Sequence, residues 1–337
     1  MKTPKYSKYF LSLVLLLLLS FIFSISTGSS ELGIRQVFNI IFGNENREEI
    51  KQIFFDFRLS KAVTALCCGS ALSVCGLLMQ TLFRNPLAGP YVLGVTSGSG
   101  LFISVFLIGI SSLGMSRYAE LGLPVFGVAG ALFSLIIILL FSFRIKNNST
   151  LLLVGIMLGF VYSAIQMILE YFSIPSELKN LVIWNMGNIG NLNWSQLSFF
   201  IPLITISVFW SLTMIKPLNA FMFGDDYAQS MGINIKKIKL FVIILTGVIS
   251  GICVSYCGPI AFVGLITPHV CRLIFKSGDH RILIPGAALA GGIILLFCDA
   301  ITGLFSETIS LPINAITSII GAPIVIWMLA SRKNQMS

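Results

Sequence analysis

Long apolar runs, each close to 20 residues, alternate along this chain with short polar breaks. The runs predict ten helical spans, at roughly 9–28, 59–82, 91–110, 122–143, 150–172, 196–215, 239–257, 259–276, 282–303 and 312–330. A helix crosses the hydrocarbon core of a bilayer in about 20 apolar residues. Barrel strands would be about 10 residues long with strict alternation, and that alternation is absent. The eighth run is the least regular, with Pro259 at its start and Pro268 inside. Such breaks survive in membrane helices when neighbours satisfy the freed backbone groups. The first run follows Lys2, Lys5 and Lys8. It exceeds the roughly 7–15 apolar residues of a signal peptide and has no A-x-A ending, so a retained span is expected.

Three stretches between the runs have a pattern of their own. Ile34, Val37, Phe38 and Ile41 repeat at helical spacing and predict a short helix along the membrane interface. "GDDYAQSMGINIKKIK" predicts a short polar helix between Gly224 and Gly232, followed by a basic start to the next span. "FRNPLAGPYVLGV", from Phe83, is a rigid polar knot. Pro86 and Pro90 fix their own backbone angles and restrict the residues before them, and Asn85 is suited to hydrogen-bonding the loop backbone.

Composition agrees with a lipid-embedded chain. Of 337 residues, 56% are hydrophobic and 10% charged, against about 25% charged in soluble domains. With the N-terminus in the cytoplasm, 15 of the 22 lysines and arginines fall on inner segments, as the positive-inside rule requires. An even number of spans returns the basic tail "SRKNQMS" to the same side. The net charge of +9 is thus explained by topology and gives no reason to invoke nucleic acid. The seven cysteines lie in or at the ends of spans. Cys253 and Cys257 are one helical turn apart, but no second ligand pair accompanies them, so small buried side chains are expected and no metal site. Glycines around Gly69–Gly76 and Gly286–Gly292 suit close helix approach.

Candidate chemistry is sparse. There is no G-x-x-x-x-G-K-S/T loop to cradle ATP phosphates. Asp299 and Glu170 are the clearest ionisable residues in spans, and both fall near outer helix ends, where snorkelling is expected over proton relay. His269, after Pro268, and His280, in "GDHR", have no catalytic or metal constellation, and structural hydrogen bonding is expected. No serine nucleophile has a base nearby. The chain reads as a passage without a motor of its own. A secondary transporter driven by an ion gradient, a membrane enzyme and a bare scaffold are the alternatives. Arg58 and Lys61, one turn apart at the outer start of the second span, suit either interfacial anchoring or docking of an acidic partner.

"RLSKAVTALCCGSALSVCGLLMQTLFRNPLAGPYVLGVTSGSG", from Arg58, resembles the signature of the iron-siderophore, haem and cobalamin permeases of binding-protein-dependent ABC importers. That signature runs R-L-P-R, G-x-x-L-x-x-x-G-x-x-x-Q, then R/E-N-P-L-A-x-P-x-x-L-G. "WNMGNIGNLNW", "GDDYAQSMGIN", "GPIAFVGLITPHVCRLIFKSGDHRILIPGAALAGG" and "LPINAITSIIGAP" match further blocks, and the similarity runs from about residue 10 to 330. Motif positions are Gln80, Asn85, Pro86, Gly258, Pro268, His269, Arg272, Asp299, Pro312, Gly321 and Pro323.

The resemblance implies an all-α, ten-helix permease of a single domain, residues 1–337, with both termini cytoplasmic, in a bacterial cytoplasmic membrane. It implies a homodimer, two separate ATP-binding subunits below and an extracytoplasmic substrate-binding protein above. ATP and magnesium would belong to the partner ATPase, and this chain would hold no cofactor, metal or catalytic residue. An iron-siderophore is the first expected substrate, with haem or cobalamin next. By the same resemblance, Arg58 and Lys61 face glutamates of the binding protein. Gly224, Asp225, Ala228 and Gly232 belong to the coupling helix in region 216–239, where Ala228 and Gly232 keep the helix slim. Leu87, Asn148 and Ser149 narrow the cytoplasmic gate. The chain departs from the pattern at Ser60 (usually Pro), Lys61 (usually Arg), Gly303 (usually Arg), Ser310 (usually Glu) and Asn314 (usually Gly).

Overall fold

The computed structural model describes residues 4–28, 34–43, 47–112, 119–142, 144–145, 148–190, 192–305 and 311–333. Every regular element among them is helical. In chain order these are α1 (Pro4–Ser26), α2 (Ile34–Ile41), α3 (Glu48–Gln52), α4 (Ser60–Leu82), α5 (Val95–Ser112), α6 (Ala119–Ser142), α7 (Asn148–Phe172), α8 (Pro175–Asn185), α9 (Trp194–Ser211), α10 (Ile215–Phe221), α11 (Asp225–Ser230), α12 (Ile235–Cys257), α13 (Val263–Phe275), α14 (His280–Leu304) and α15 (Ile313–Lys333). All ten predicted runs fall on helices. Seven helices are long and apolar enough to cross a membrane, and shorter apolar helices cover Val95–Gly109, Val263–Phe275 and Ile313–Met328.

Helix α4 is the hub. It packs on α14, α13, α12 and α9, while α1 lies along α14 and α6 lies between α5 and α12. Glycine makes the hub possible. A Cβ on Gly69 would sit 2.3 Å from the Gly291 carbonyl oxygen, and one on Gly76 would sit 1.6 Å from that of Gly264. The helix backbones therefore touch, as small residues permit between membrane helices. Pro268 offers no N–H to the Gly264 carbonyl four residues earlier, and that carbonyl is the one pressed against Gly76. On the periphery, Phe160, Met167, Ile168 and Tyr171 of α7 and Phe199, Ile206 and Phe209 of α9 are exposed. Apolar helix faces of this kind suit lipid and not water.

Several boundaries differ from the sequence expectation. The second run does not start at 59: α3 and a π-helical segment, Ile53–Leu59, extend α4 into one continuous helix from Glu48 to Leu82. Glu48 and Glu49 occupy its first turn, where acidic side chains favour the helix dipole. The sixth run continues through a tight turn at Leu212–Met214 into α10, ending at Phe221. Helix α8, opened by Pro175 in its first turn, was not signalled by the apolar pattern. The short helix expected around Ile34–Ile41 is α2, with Val37 buried and Phe38 exposed.

Candidate functional sites at the two ends of the bundle

One end carries the knot after α4. Arg84 has φ +46°, an uncommon value for a residue with a side chain. The Asn85 side chain accepts from the Leu87 N–H at 2.9 Å, and its own N–H bonds the Gln80 carbonyl at 3.1 Å. Asn85 and Pro86 thus shape the turn as their types predict. Leu87 is half-buried against the cluster formed by Met79, Phe83, Ala88 and Leu93. Asn148 and Ser149 open α7, and their side chains lie outside the described residues.

The predicted coupling helix is α11. Gly224 (φ +121°) and Gly232 (φ +80°) bound it, and neither has a neighbour where a Cβ would stand, so glycine serves the backbone angle there. Ala228 is fully buried in its own chain, which makes it the seat of α11 and not part of its outward face. The outward side exposes Phe223, Tyr227 and Met231. Asp225 accepts from Arg84 of the knot and from Lys239 of α12, the latter at 3.1 Å.

Inside this end, Gln80 is buried and joins α4 to α13. Its amide nitrogen donates to the Leu265 carbonyl at 2.9 Å, and its oxygen accepts from Arg272 at 2.7 Å. Pro268 is buried in α13, and His269 beside it is half-buried. His280 has the structural role expected of it: its ring nitrogens lie 2.8 Å from the Thr81 hydroxyl and 2.7 Å from the Asn219 side-chain oxygen. Asn219 also donates to Asp279 at 2.7 Å. Partial burial pushes the Asp279 carboxyl up, but bonds from the Arg281 N–H and Asn219 outweigh it and hold the group below its ordinary range. A lone asparagine beside an apolar run carries no motif, so the sequence does not single out Asn219.

At the opposite end the basic pair is engaged within the chain. Arg58 is buried and donates to the Ile25 carbonyl at 3.1 Å and to that of Thr27, capping α1. Gly28 leaves room for the guanidinium, since a Cβ there would lie 2.6 Å from its central carbon. Asp299 is 2% exposed and does not snorkel. Its Oδ1 lies 2.7 Å from Lys61 Nζ, an ion pair by distance without an aligned hydrogen bond, and its Oδ2 accepts from Ser24 at 2.6 Å. One carboxylate thus joins α1, α4 and α14. Glu170 accepts from Gln166 at 3.0 Å and from Asn185 at 3.4 Å.

Beside Lys61 is a cavity of about 320 Å³, lined also by Gly187, Asn188, Thr302 and Pro312. Its rim is a set of loops locked together. Gly258 has φ +70°, and a Cβ there would strike the Trp184 carbonyl oxygen at 2.3 Å. The Asn188 N–H bonds the Cys257 carbonyl at 2.8 Å. Away from that rim, Gly321 of α15 admits Phe262, whose Cβ would lie 2.4 Å from an added Cβ. Pro323 is exposed on α15.

The departures from the resembled pattern have local reasons. Asn314 accepts from the Ala261 N–H at 3.1 Å, a tie glycine could not supply. Ser60 donates to the Asp56 carbonyl at 2.5 Å, within the continuous helix. Gly303 packs on Thr27, leaving no space for an arginine side chain in this arrangement. Ser310 lies outside the described residues. The cysteines are partly as expected. Six of the seven are buried and Cys67 is half-buried, as small side chains within the spans. In the fold the Cys68 thiol comes close to Cys253 and Cys257, and Cys67 to Cys257.

Comparison with known proteins follows this geometry. The pattern of the FecCD transport family matches residues 16–331. The chain is 36% identical over 322 residues to the vitamin B12 import system permease protein BtuC of Salmonella paratyphi A, covering 96% of this chain and 94% of that one. The Salmonella typhi protein of the same name matches equally, at 36% over 322 residues. A solved structure described as an inward-facing conformation of a metal-chelate type ABC transporter superposes with a TM-score of 0.82 at 29% identity, over 97% of this chain and 100% of that one. PsaBC from Streptococcus pneumoniae, in complex with Fab, shares the fold at a TM-score of 0.56 and 14% identity, over 86% and 94% of the two chains.

Proposed function

The chain belongs to the FecCD transport family, and from this premise we propose that it is the permease subunit of an ATP-driven, binding-protein-dependent importer of a metal chelate. The observation that carries the reading is co-linear identity with a vitamin B12 import permease along 96% of the chain. That relative moves cobalamin ahead of iron-siderophores and haem as the first substrate to test. The chain supplies walls and docking surfaces and performs no covalent step.

In this reading ten helices cross a bacterial cytoplasmic membrane with both termini inside, and two copies line one path. The Arg84 end is cytoplasmic. The exposed Phe223, Tyr227 and Met231 face an ATPase subunit there, and Leu87 with Asn148 and Ser149 narrows the exit. The Lys61 end is extracytoplasmic. Lys61 keeps 30% of its side chain exposed beside the rim cavity, which supports it as the docking charge for the binding protein. Arg58, committed to the end of α1, organises that surface from beneath. ATP-driven closure of the ATPases would reorient the bundle and open the path inward.

The test is reconstitution of the full complex in proteoliposomes, with radiolabelled cyanocobalamin, haemin and a ferric siderophore in parallel. Uptake of one of them that needs internal ATP and survives a protonophore is expected. Uptake that persists without ATP and collapses with the proton gradient would overturn the reading.

A further inference from the structure

We propose that Arg84 is a positioning residue that ties α11 to the gate knot, so that movement of α11 is delivered to Leu87 through the Arg84–Asp225–Lys239 ion pairs. The inference rests on the importer reading above and adds a specific mechanical link to it.

Three independent features meet at Arg84. The first is connectivity. Helix α11 packs on α10 and α12, and Asp225 extends its reach to the knot. The two carboxylate oxygens of Asp225 are divided between two cations, Oδ1 to Arg84 of the knot and Oδ2 to Lys239 of α12. The second feature is space. A cavity of about 530 Å³, lined by Phe83, Arg84, Ser142, Asp225 and Lys239 among others, opens between the knot and α11. The two are thus not fused by tight packing, and the charged side chains are what bridges them. The third feature is the backbone. Arg84 holds φ +46° although it is not glycine. Such a conformation persists only where the surroundings over-determine it, and it concentrates at sites with a mechanical or chemical task. A glycine would fill the angle without strain, but it would lose the guanidinium.

The rest of the path is short and stiff. Arg84 is followed by Asn85, whose side chain holds the Leu87 N–H at 2.9 Å. Pro86 stands between them with its own φ fixed. Displacement of Arg84 therefore carries Leu87 with it. At the other end of the link, Gly224 and Gly232 bound α11 with open space around both. The helix has the backbone freedom to move as a unit while Asp225 keeps hold of the knot.

The test uses the reconstituted complex and reads substrate taken up per ATP hydrolysed. The probe is radiolabelled cyanocobalamin, or a ferric siderophore where the wild-type complex transports that instead. Arg84→Gly relieves the backbone angle and removes the charge. Its thermal stability and its co-purification with the ATPase should match or exceed wild type, while uptake per ATP falls at least about fivefold, the low end of a coupling between sites. The full charge inversion, Arg84→Glu with Asp225→Lys and Lys239→Glu, rebuilds both pairs with opposite sign and should recover most of the loss. Wild-type uptake per ATP in Arg84→Gly would overturn the link. So would an Arg84→Gly chain that has lost stability or ATPase binding, since that would mark a merely structural residue. An inverted chain that assembles but stays uncoupled would overturn it as well. Failure of the importer reading itself would appear separately, as absence of ATP-dependent uptake by the wild-type complex.

Discussion

Removing Lys61 should destabilise the permease far more than removing a surface lysine. Asp299 is 2% exposed, and Lys61 Nζ is its nearest cation at 2.7 Å, with 30% of the lysine side chain exposed. Taking one partner from a fully buried pair costs about 3–5 kcal/mol, because the other charge is left unpaired in a poor solvent. An exposed pair is worth about 0–1 kcal/mol. The open edge of Lys61 lets water reach the site, and Asp299 keeps its bond from the Ser24 hydroxyl. The expected loss for Lys61→Met is therefore intermediate, about 2–3 kcal/mol. Asp299→Asn keeps the volume and removes the buried charge. The double variant should then recover much of the Lys61→Met loss, since no charge is left without its counterpart. A double-mutant cycle on the purified chain, unfolded by detergent titration in mixed micelles, isolates the pairwise term. A coupling of about 2 kcal/mol is expected for residues in direct contact. Strict additivity, or a Lys61→Met loss within about 0.5 kcal/mol as for ordinary surface positions, would refute the reasoning.

Other positions give sharper local tests. Gln80→Leu removes the bonds to the Leu265 carbonyl and to Arg272 and should cost about 1–3 kcal/mol in the same titration, whereas Gln80→Glu should retain the Arg272 contact. Gly76→Ala would drive a methyl into the Gly264 carbonyl and should cost about 1–3 kcal/mol by overpacking, while Gly109→Ala, with nothing within 4 Å, should leave stability unchanged or raise it. Asp279 has a folded pKa below its unfolded value, so its contribution is present above the unfolded pKa, about 3.9, and is lost as pH falls through the folded one. Asp279→Asn should therefore flatten the loss of stability on acidification in that range.

The crossing helices were legible because a run of apolar residues reports its own solvent. The extension from Glu48 to Leu59 was not, since its charged first turns resemble any polar segment. Helix α8 mixes Lys179 and Asn180 with Leu181 and Ile183 and gave no single apolar face to read. At the sites, local chemistry was readable and distant pairing was not. Asn85 next to Pro86 announced a turn, and Gly224 with Gly232 announced the ends of a short helix. Nothing in the sequence said that Asp299 meets Lys61 and Ser24, because those partners lie on three different helices. The inward face of Ala228 and the approach of Cys68 to Cys253 and Cys257 were hidden for the same reason. The backbone angle of Arg84 was hidden too, since arginine is not a residue that advertises a left-handed turn.

The contact between Gly76 and Gly264 has a mechanical consequence. Most helix pairs are keyed by ridges of side chains lying in grooves, and rotation of one partner must lift those ridges out. Here the facing surfaces are backbone, and the carbonyl at the contact is not held by the N–H that Pro268 lacks. Such a junction works as a pivot with no rotamer to change at the point of contact, while Gln80 of α4, bonded to the Leu265 carbonyl and to Arg272, limits how far α13 can turn about it. On the other side of α13 the Phe275 ring fills the space left by Gly286 of α14, so α13 is keyed by side chains there and free of them at the pivot.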